Sequence, residues 1–297
     1  MQFTKDLLSE LKDSGKSICI HSKKISKTLY KHPPNSFPKY STRSYYFWRT
    51  NKRPIPLEII LKIMKKDKFD SINIEHFSIS GGNKIIPPNE KKVEFSYLLG
   101  LILGDGCISH SKKELNRNSY CIRIAFKSKK DTIDTKKLVK TLFNSESSYY
   151  YSQGCYSLSL YSKPLALILN KKYEIPIGLK YDSIKVPNFI NKQSTQNIRA
   201  FLKGVFDSDG NIYKHRNKKA VQLRQKSKTF LIGLRELFQK IGVQFNEPYY
   251  DKANNSWVLW SSKKELVDNF IKQIIKFKVR RARSSVWIER QPSKDLV

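Results

Sequence analysis

Two short stretches of the chain are mostly apolar, and both break off at the same dipeptide. The first is Leu98-Leu99-Gly100-Leu101-Ile102-Leu103-Gly104-Asp105-Gly106. The second, about a hundred residues later, is Leu202-Lys203-Gly204-Val205-Phe206-Asp207-Ser208-Asp209-Gly210. Each has the length of a short helix with small residues one turn apart, Gly100 and Gly104 in one, Gly204 and Ser208 in the other. Small residues at that spacing let two helix backbones approach closely, so the pattern predicts a seam packed on those four positions. The glycine after each Asp predicts a C-cap with positive φ. An Asp at such an end lies beside the negative pole of the helix dipole. If the helices pair, Asp105 and Asp209 become neighbours, and like charges that close repel unless they are protonated or bridged by a cation. A divalent metal resolves both problems. Asp105 and Asp209, with Gly104 and Ser208 adjoining them, are therefore the candidate metal-ligating set.

Upstream, apolar residues recur at helical spacing. Thr4 can cap a helix carrying Leu7, Leu8 and Leu11, and Ser22 to Tyr30 places Ile25 and Leu29 on one face. Pro33-Pro34 ends that run, and Pro56 opens another with Leu57, Ile60, Leu61 and Met64 at i, i+3, i+4, i+7. Residues 1–80 thus read as a small, separate, mainly helical module. Residues 81–92, with Gly81-Gly82-Asn83 and Pro87-Pro88-Asn89, read as a linker.

From Val93 onward the chain repeats itself. After each Asp-Gly comes a predicted hairpin, Cys107–His110 with Tyr120–Ser128, then Asn211–His215 with Ala220–Ser227. Each leads to an amphipathic helix (Asp134–Phe143, Thr229–Ile241), a second hairpin rich in Tyr and Trp, a serine-lysine step and a further helix. The copies lie 104 residues apart at Asp105/Asp209, 99 at Lys127/Lys226, 100 at Lys163/Lys263 and 98 at Lys180/Lys278. So constant an offset means two copies of one αββαββα unit, 93–190 and 191–283. The expected fold class is α+β: two pseudo-twofold-related units with an antiparallel β-saddle, plus the N-terminal module, in a monomer.

The paired segments resemble the signature helices of the LAGLIDADG homing endonucleases, two-motif type. The position that carries catalysis in that family falls on Asp105 and Asp209. The first copy has Leu103 at the inner acidic position, where the family varies; the second keeps Asp207. The resemblance implies hydrolysis of one phosphodiester in each strand of a long, roughly palindromic DNA site. It implies Mg²⁺ as cofactor, with Mn²⁺ able to substitute. It also places Lys180 and Lys278 near the scissile phosphates, and Gln225 as a polar assistant whose first-half counterpart is Phe126. The stretch Tyr45 to Pro54 is similar to helix-turn-helix domains of the repressor type, the alternative being a three-helix packing module with aromatics in its core. Under either reading Arg49, Lys52 and Arg53 are expected at phosphates.

The strands alternate. Val221 and Leu223 oppose Gln222, Arg224 and Lys226, while Ile122, Ile124 and Phe126 oppose Arg123 and Lys127. Such half-buried sheets can lie in the major groove and read base edges. Charge agrees: 57 Lys and Arg against 25 Asp and Glu give a net +32, spread over both parts of the chain. A polyanion is the expected partner. Four cysteines without paired spacing exclude a disulfide framework, and scattered histidines give no zinc motif. No apolar run approaches membrane length, and the N-terminus lacks a signal-like core, so a soluble, cytoplasmic protein of a prokaryote or organelle is expected, with no membrane partner. Without the opening Cys/Ser and closing His-Asn of an intein, it reads as free-standing or intron-encoded. Other expectations stay open: a splicing maturase that binds intron RNA, or a transcriptional regulator on the same scaffold. The segment 284–297 carries Ser-Ser-Val-Trp-Ile-Glu-Arg, which in codons can spell a transfer-RNA D-arm, so an overlap with such a gene is a further expectation.

Overall fold

The computed structural model describes residues 2–12, 18–79, 84–111, 119–180, 183–216 and 218–279. The expected tail, 284–297, and Gly81-Gly82-Asn83 lie outside them.

The N-terminal part runs β1 (Gln2–Thr4), α1 (Lys5–Lys12), β2 (Ile18–His21), α2 (Lys23–Thr28), α3 (Thr42–Arg49), β3 (Ile55–Pro56), α4 (Leu57–Lys66), β4 (Ser71–Asn73) and β5 (His76–Ile79). The hydroxyl foreseen as a cap is in place, Thr4 Oγ1 accepting from Leu7 N–H, and Ser22, at the start of the second run, caps α2. The five strands go beyond the helical reading. β1 pairs with β4, and β2 lies between β3 and β5, all antiparallel. They left no period to read: all four residues of β2 are buried and β3 is two residues long. Nor do the helices follow one another as in a compact helix-turn-helix, whose turn is about 3–4 residues: α2 ends at Thr28, α3 begins at Thr42, and β3 separates α3 from α4. The described part of the expected linker is packed down. Ile85 exchanges two backbone hydrogen bonds with Phe77, Ile86 N–H donates to Phe143 C=O, and Pro87 and Pro88 are buried.

The first repeat is α5 (Val93–Leu103), β6 (Gly106–Ser111), β7 (Ser119–Phe126), α6 (Lys129–Phe143), β8 (Ser148–Ser152), β9 (Cys155–Tyr161) and α7 (Lys163–Tyr173). After α8 (Asn188–Asn191), the second is α9 (Thr195–Asp209), β10 (Gly210–His215), β11 (Lys218–Gln225), α10 (Lys228–Lys240), β12 (Tyr249–Asp251), β13 (Ser256–Ser261) and α11 (Lys264–Phe270), closed by a π-helical turn, Ile271–Ile275. Each repeat holds a four-stranded antiparallel sheet of the same order, β6-β7-β9-β8 and β10-β11-β13-β12. Serines start the equivalent helices, Ser128 and Ser227 capping α6 and α10. Register makes the duplication explicit: Gly106 pairs with Ile124 and Gly210 with Leu223, so Phe126 and Gln225 occupy one structural position.

The repeats meet along α5 and α9. A Cβ on Gly100 would stand 2.2 Å from the Phe201 carbonyl, and one on Gly204 2.2 Å from the Tyr97 carbonyl. Only glycine permits that approach, and it brings the two helix ends together. Among the described residues no helix is long and apolar enough to cross a membrane.

Candidate active site

The glycines that follow the two Asp residues act through space rather than through φ. Gly210 is extended (φ −94°, ψ 152°) and begins β10; Gly106 likewise begins β6, and neither is left-handed. A Cβ on Gly106 would meet Ile102 Cα at 2.6 Å, and one on Gly210 would meet the Phe206 ring. The positive-φ cap expected there is therefore absent. Each helix passes directly into a strand, leaving its Asp at the junction.

At that junction Gly104 lies against the opposite helix: its Cβ would fall 2.4 Å from Ser208 Cβ and 2.8 Å from Asp209 Oδ2. Asp105 is exposed and Asp209 half-buried. Burial, reinforced by the Asp105 charge, pushes the Asp209 carboxyl up to about 7, with Lys180 and Gln225 acting the other way. Gln225 Nε2 donates to Asp209 Oδ2. Lys180 is drawn in as well, but to backbone: its Nζ donates to the carbonyls of Leu103 (2.8 Å), Ile102 (3.2 Å) and Gly104. These are the unsatisfied acceptors at the end of α5, so the ammonium caps the negative pole that Asp105 would otherwise face. Burial pushes the Lys180 ammonium down, while Asp209, Asp105 and Cys107 oppose that shift. Lys278, its counterpart, is exposed on the segment after the π-helical turn.

The structure thus gathers Asp105, Asp209, Gly104, Ser208, Lys180 and Gln225. Phe126, at the position of Gln225, packs half-buried against the core and supplies no polar atom. The sequence reading did not pick out Tyr97 and Lys203. Tyr97 Oη donates to Asp207 Oδ2 (2.9 Å) and Lys203 Nζ to Asp207 Oδ1 (3.1 Å). A lysine four residues before an Asp, inside an apolar run, was the available signal.

On the sheets, Val221, Leu223, Ile122 and Ile124 are buried as their alternation requires. The opposite side is mixed. Arg123 and Gln222 are half-buried and Lys127 is exposed, but Cys121, Ala220 and Val258 on that same side are buried. Arg224 Nη1 pairs with Asp251 Oδ2 at 2.6 Å and donates to Ser256 Oγ, and Lys226 Nζ donates to the Asn255 carbonyl. In the N-terminal part Arg49 is half-buried among tyrosines, while Lys52 and Arg53 are exposed.

Residues 196–274 match the family model described as a LAGLIDADG-like domain. Two curated proteins are similar over part of their length. Elongation factor 2 of Methanopyrus kandleri is 23% identical over 231 residues, which is 76% of this chain and 17% of that protein. The DNA polymerase of Thermococcus hydrothermalis is 27% identical over 157 residues, 52% of this chain and 9% of that protein. The chain therefore spans less than a fifth of either. Among solved structures, mesophilic variants of the homing endonuclease I-DmoI share 23% identity at a TM-score of 0.50, covering 63% of this chain and 92% of that one. An I-DmoI variant in complex with its target DNA and Mn shares 22% identity at 0.52, covering 64% and 98%. At that identity the likeness establishes a common fold.

Proposed function

We propose, for a chain that carries a LAGLIDADG-like domain and has the fold of the homing endonuclease I-DmoI, that it is a site-specific endonuclease acting on both strands of duplex DNA as a monomer. The observation that carries this reading is the meeting of Asp105 and Asp209 at the foot of the seam, with the Asp209 carboxyl held near 7. A pure binder gains nothing from two carboxylates that oppose one another's ionisation.

Among the described residues no group of three or more His, Cys, Asp or Glu forms a closed metal cage. Two carboxylate donors side by side suit a hard cation such as Mg²⁺ or Mn²⁺. When bound, such a cation supplies Lewis acidity at the scissile phosphate and lowers the pKa of its water. Asp105 and Asp209 would hold such cations, each carboxylate serving the phosphate of one strand, with Gly104 and Ser208 flanking them. Gln225 fixes one oxygen of Asp209, and Lys180, tied to the last carbonyls of α5, fixes the helix end that carries Asp105. Lys278 approaches the second phosphate. Arg123, Lys127, Gln222, Arg224 and Lys226 contact the duplex along the two sheets, and Lys52 and Arg53 meet phosphates further along. Affinity then falls steeply with salt, as for any protein making many phosphate contacts.

The test is a randomised duplex library incubated with the purified protein and Mg²⁺ or EDTA, with new DNA ends sequenced. The expected result is a recurrent double-strand end that requires Mg²⁺ and vanishes in Asp105→Asn and in Asp209→Asn. Ends that persist in both variants, or tight binding with no ends at all, would overturn it.

A further inference from the structure

Between Asp13 and Glu58 the chain carries ten Lys and Arg and no acidic residue. The structure arranges part of this run in an unusual way. Tyr30 and Tyr46 are 60% and 47% exposed. The guanidinium of Arg49 lies 4.4 Å from the Tyr30 ring centre and 4.8 Å from that of Tyr46. Its Nε is buried and has no hydrogen-bond partner among the described residues, so the rings hold it in place. Beside it on α3, Phe47 takes Arg53 at 4.5 Å and Arg43 at 5.7 Å. Ser41 caps α3, and Tyr45 and Trp48 anchor it in the core, so the rings and guanidiniums stand on a fixed element.

This is not how arginines are disposed to enter a groove. Their guanidinium carbons sit 4.4–5.7 Å from aromatic ring centres, and α2 and α3 are not joined by the short turn of a helix-turn-helix. Exposed rings interleaved with planar cations are a stacking surface inside a positive field, and only bases not already stacked in a duplex can use it. We propose that this face of α3, with Tyr30, Tyr46 and Arg49 at its centre, binds a single strand of nucleic acid by stacking unpaired bases, the surrounding lysines neutralising its phosphates. It goes beyond the proposed cleavage of duplex DNA and does not depend on it, since neither Asp105 nor Asp209 takes part.

Binding of a labelled twenty-nucleotide oligothymidylate to the full chain, in EDTA, tests the proposal by fluorescence anisotropy. An abasic oligomer of equal length and charge is the control, and a duplex of equal length the competitor. The oligothymidylate is expected to bind at least tenfold more tightly than the abasic oligomer. Tyr30→Ala with Tyr46→Ala should weaken it by about tenfold or more while leaving the salt slope unchanged, since stacking on each ring is worth a several-fold factor and carries no charge. Tyr30→Phe with Tyr46→Phe should restore binding, because a phenyl ring stacks as well as a phenol. Both rings are largely exposed and lose only their contacts with Arg49, so the thermal midpoint should move little. Equal affinity for the abasic oligomer, an alanine pair that binds as the parent does, or a duplex that displaces the oligomer with equal potency and loses as much in the alanine pair would each overturn it. Library cleavage is read separately, so a failure of that reading leaves this result intact.

Discussion

Across the seam, Tyr97 of α5 donates to Asp207 of α9, and the other oxygen of Asp207 holds Lys203. The positions related to these three by the 104-residue offset are Phe201, Leu103 and Leu99, all fully buried hydrocarbon. One side of the pseudo-twofold axis is a hydrogen-bonded ion pair and the other is oil. Yet a Cβ added to Gly100 or to Gly204 would meet a carbonyl of the opposite helix at the same 2.2 Å. Duplication has kept what the backbones require and released what the side chains contact. An α9·α9 pairing would set Asp207 against Phe201, and an α5·α5 pairing would set the Tyr97 hydroxyl against Leu103. Each half therefore fits the other better than a copy of itself, which is a specificity device for a one-chain pair.

The widest test of that contrast removes what the halves share. Gly100→Val and Gly204→Val each drive a side chain into a backbone carbonyl that cannot step aside. Both should cost about 3 kcal/mol or more, on the order of 10 °C in thermal midpoint, and by similar amounts. A glycine that accepts valine without loss would show that the seam is not closed there.

Next comes what they do not share. Asp207→Leu strands the ammonium of Lys203, whose side chain is 10% exposed, and removes the acceptor of the Tyr97 hydroxyl. The expected cost is about 2–3 kcal/mol in urea unfolding. Adding Tyr97→Phe and Lys203→Leu makes both sides hydrocarbon and should recover most of it. An Asp207→Leu protein within about 0.5 kcal/mol of the parent would mean that the polar side contributes nothing.

The seam and the repeats were legible in the sequence because each leaves a periodic trace: small residues four apart, apolar positions alternating, landmarks at a steady offset. The strands of the N-terminal part left none, since Ile18-Cys19-Ile20-His21 is buried on both faces. Asp105 and Asp209 could be found because acids at helix C-termini are out of place. The partner chosen by Lys180 could not be found, because which carbonyls an ammonium reaches depends on where a loop returns. Likewise the glycines after the Asp residues announced a junction but not its geometry: Ile102 and Phe206 crowd them, and that crowding follows from the helix-to-strand path.

A smaller contrast lies in protonation. Asp209 holds its proton up to about pH 7 in the folded chain, against about 3.9 for an unperturbed carboxyl. The folded state therefore gains from the proton below about pH 4 and loses that gain as pH rises to 7, with no further change above. After allowance for water reaching a half-buried group, the loss is about 2 kcal/mol. Midpoints of parent and Asp209→Asn, measured in EDTA from pH 4 to 8, should converge towards low pH and separate as pH rises, the variant being the more stable. A constant difference across that range would show that Asp209 ionises freely.

The finest difference is the single position where Gln225 donates to Asp209 while Phe126 offers nothing polar. Under the proposed cleavage, each carboxylate answers for one DNA strand, so this contrast should appear as two unequal rates. Gln225→Phe makes the halves alike. It leaves an oxygen of Asp209 without its donor, and losing such a supporting hydrogen bond costs about tenfold or more in activity. With each strand of the duplex separately labelled and turnover limited to one round, cutting of one strand should slow by that factor while the other keeps its rate and nicked duplex accumulates. Phe126→Gln tests the reverse direction, because an amide added beside Asp105 should speed the slower strand if it reaches the carboxylate. Equal slowing of both strands in Gln225→Phe would mean that Asp105 and Asp209 act as one centre, and the asymmetry of the two halves would then stop at the seam.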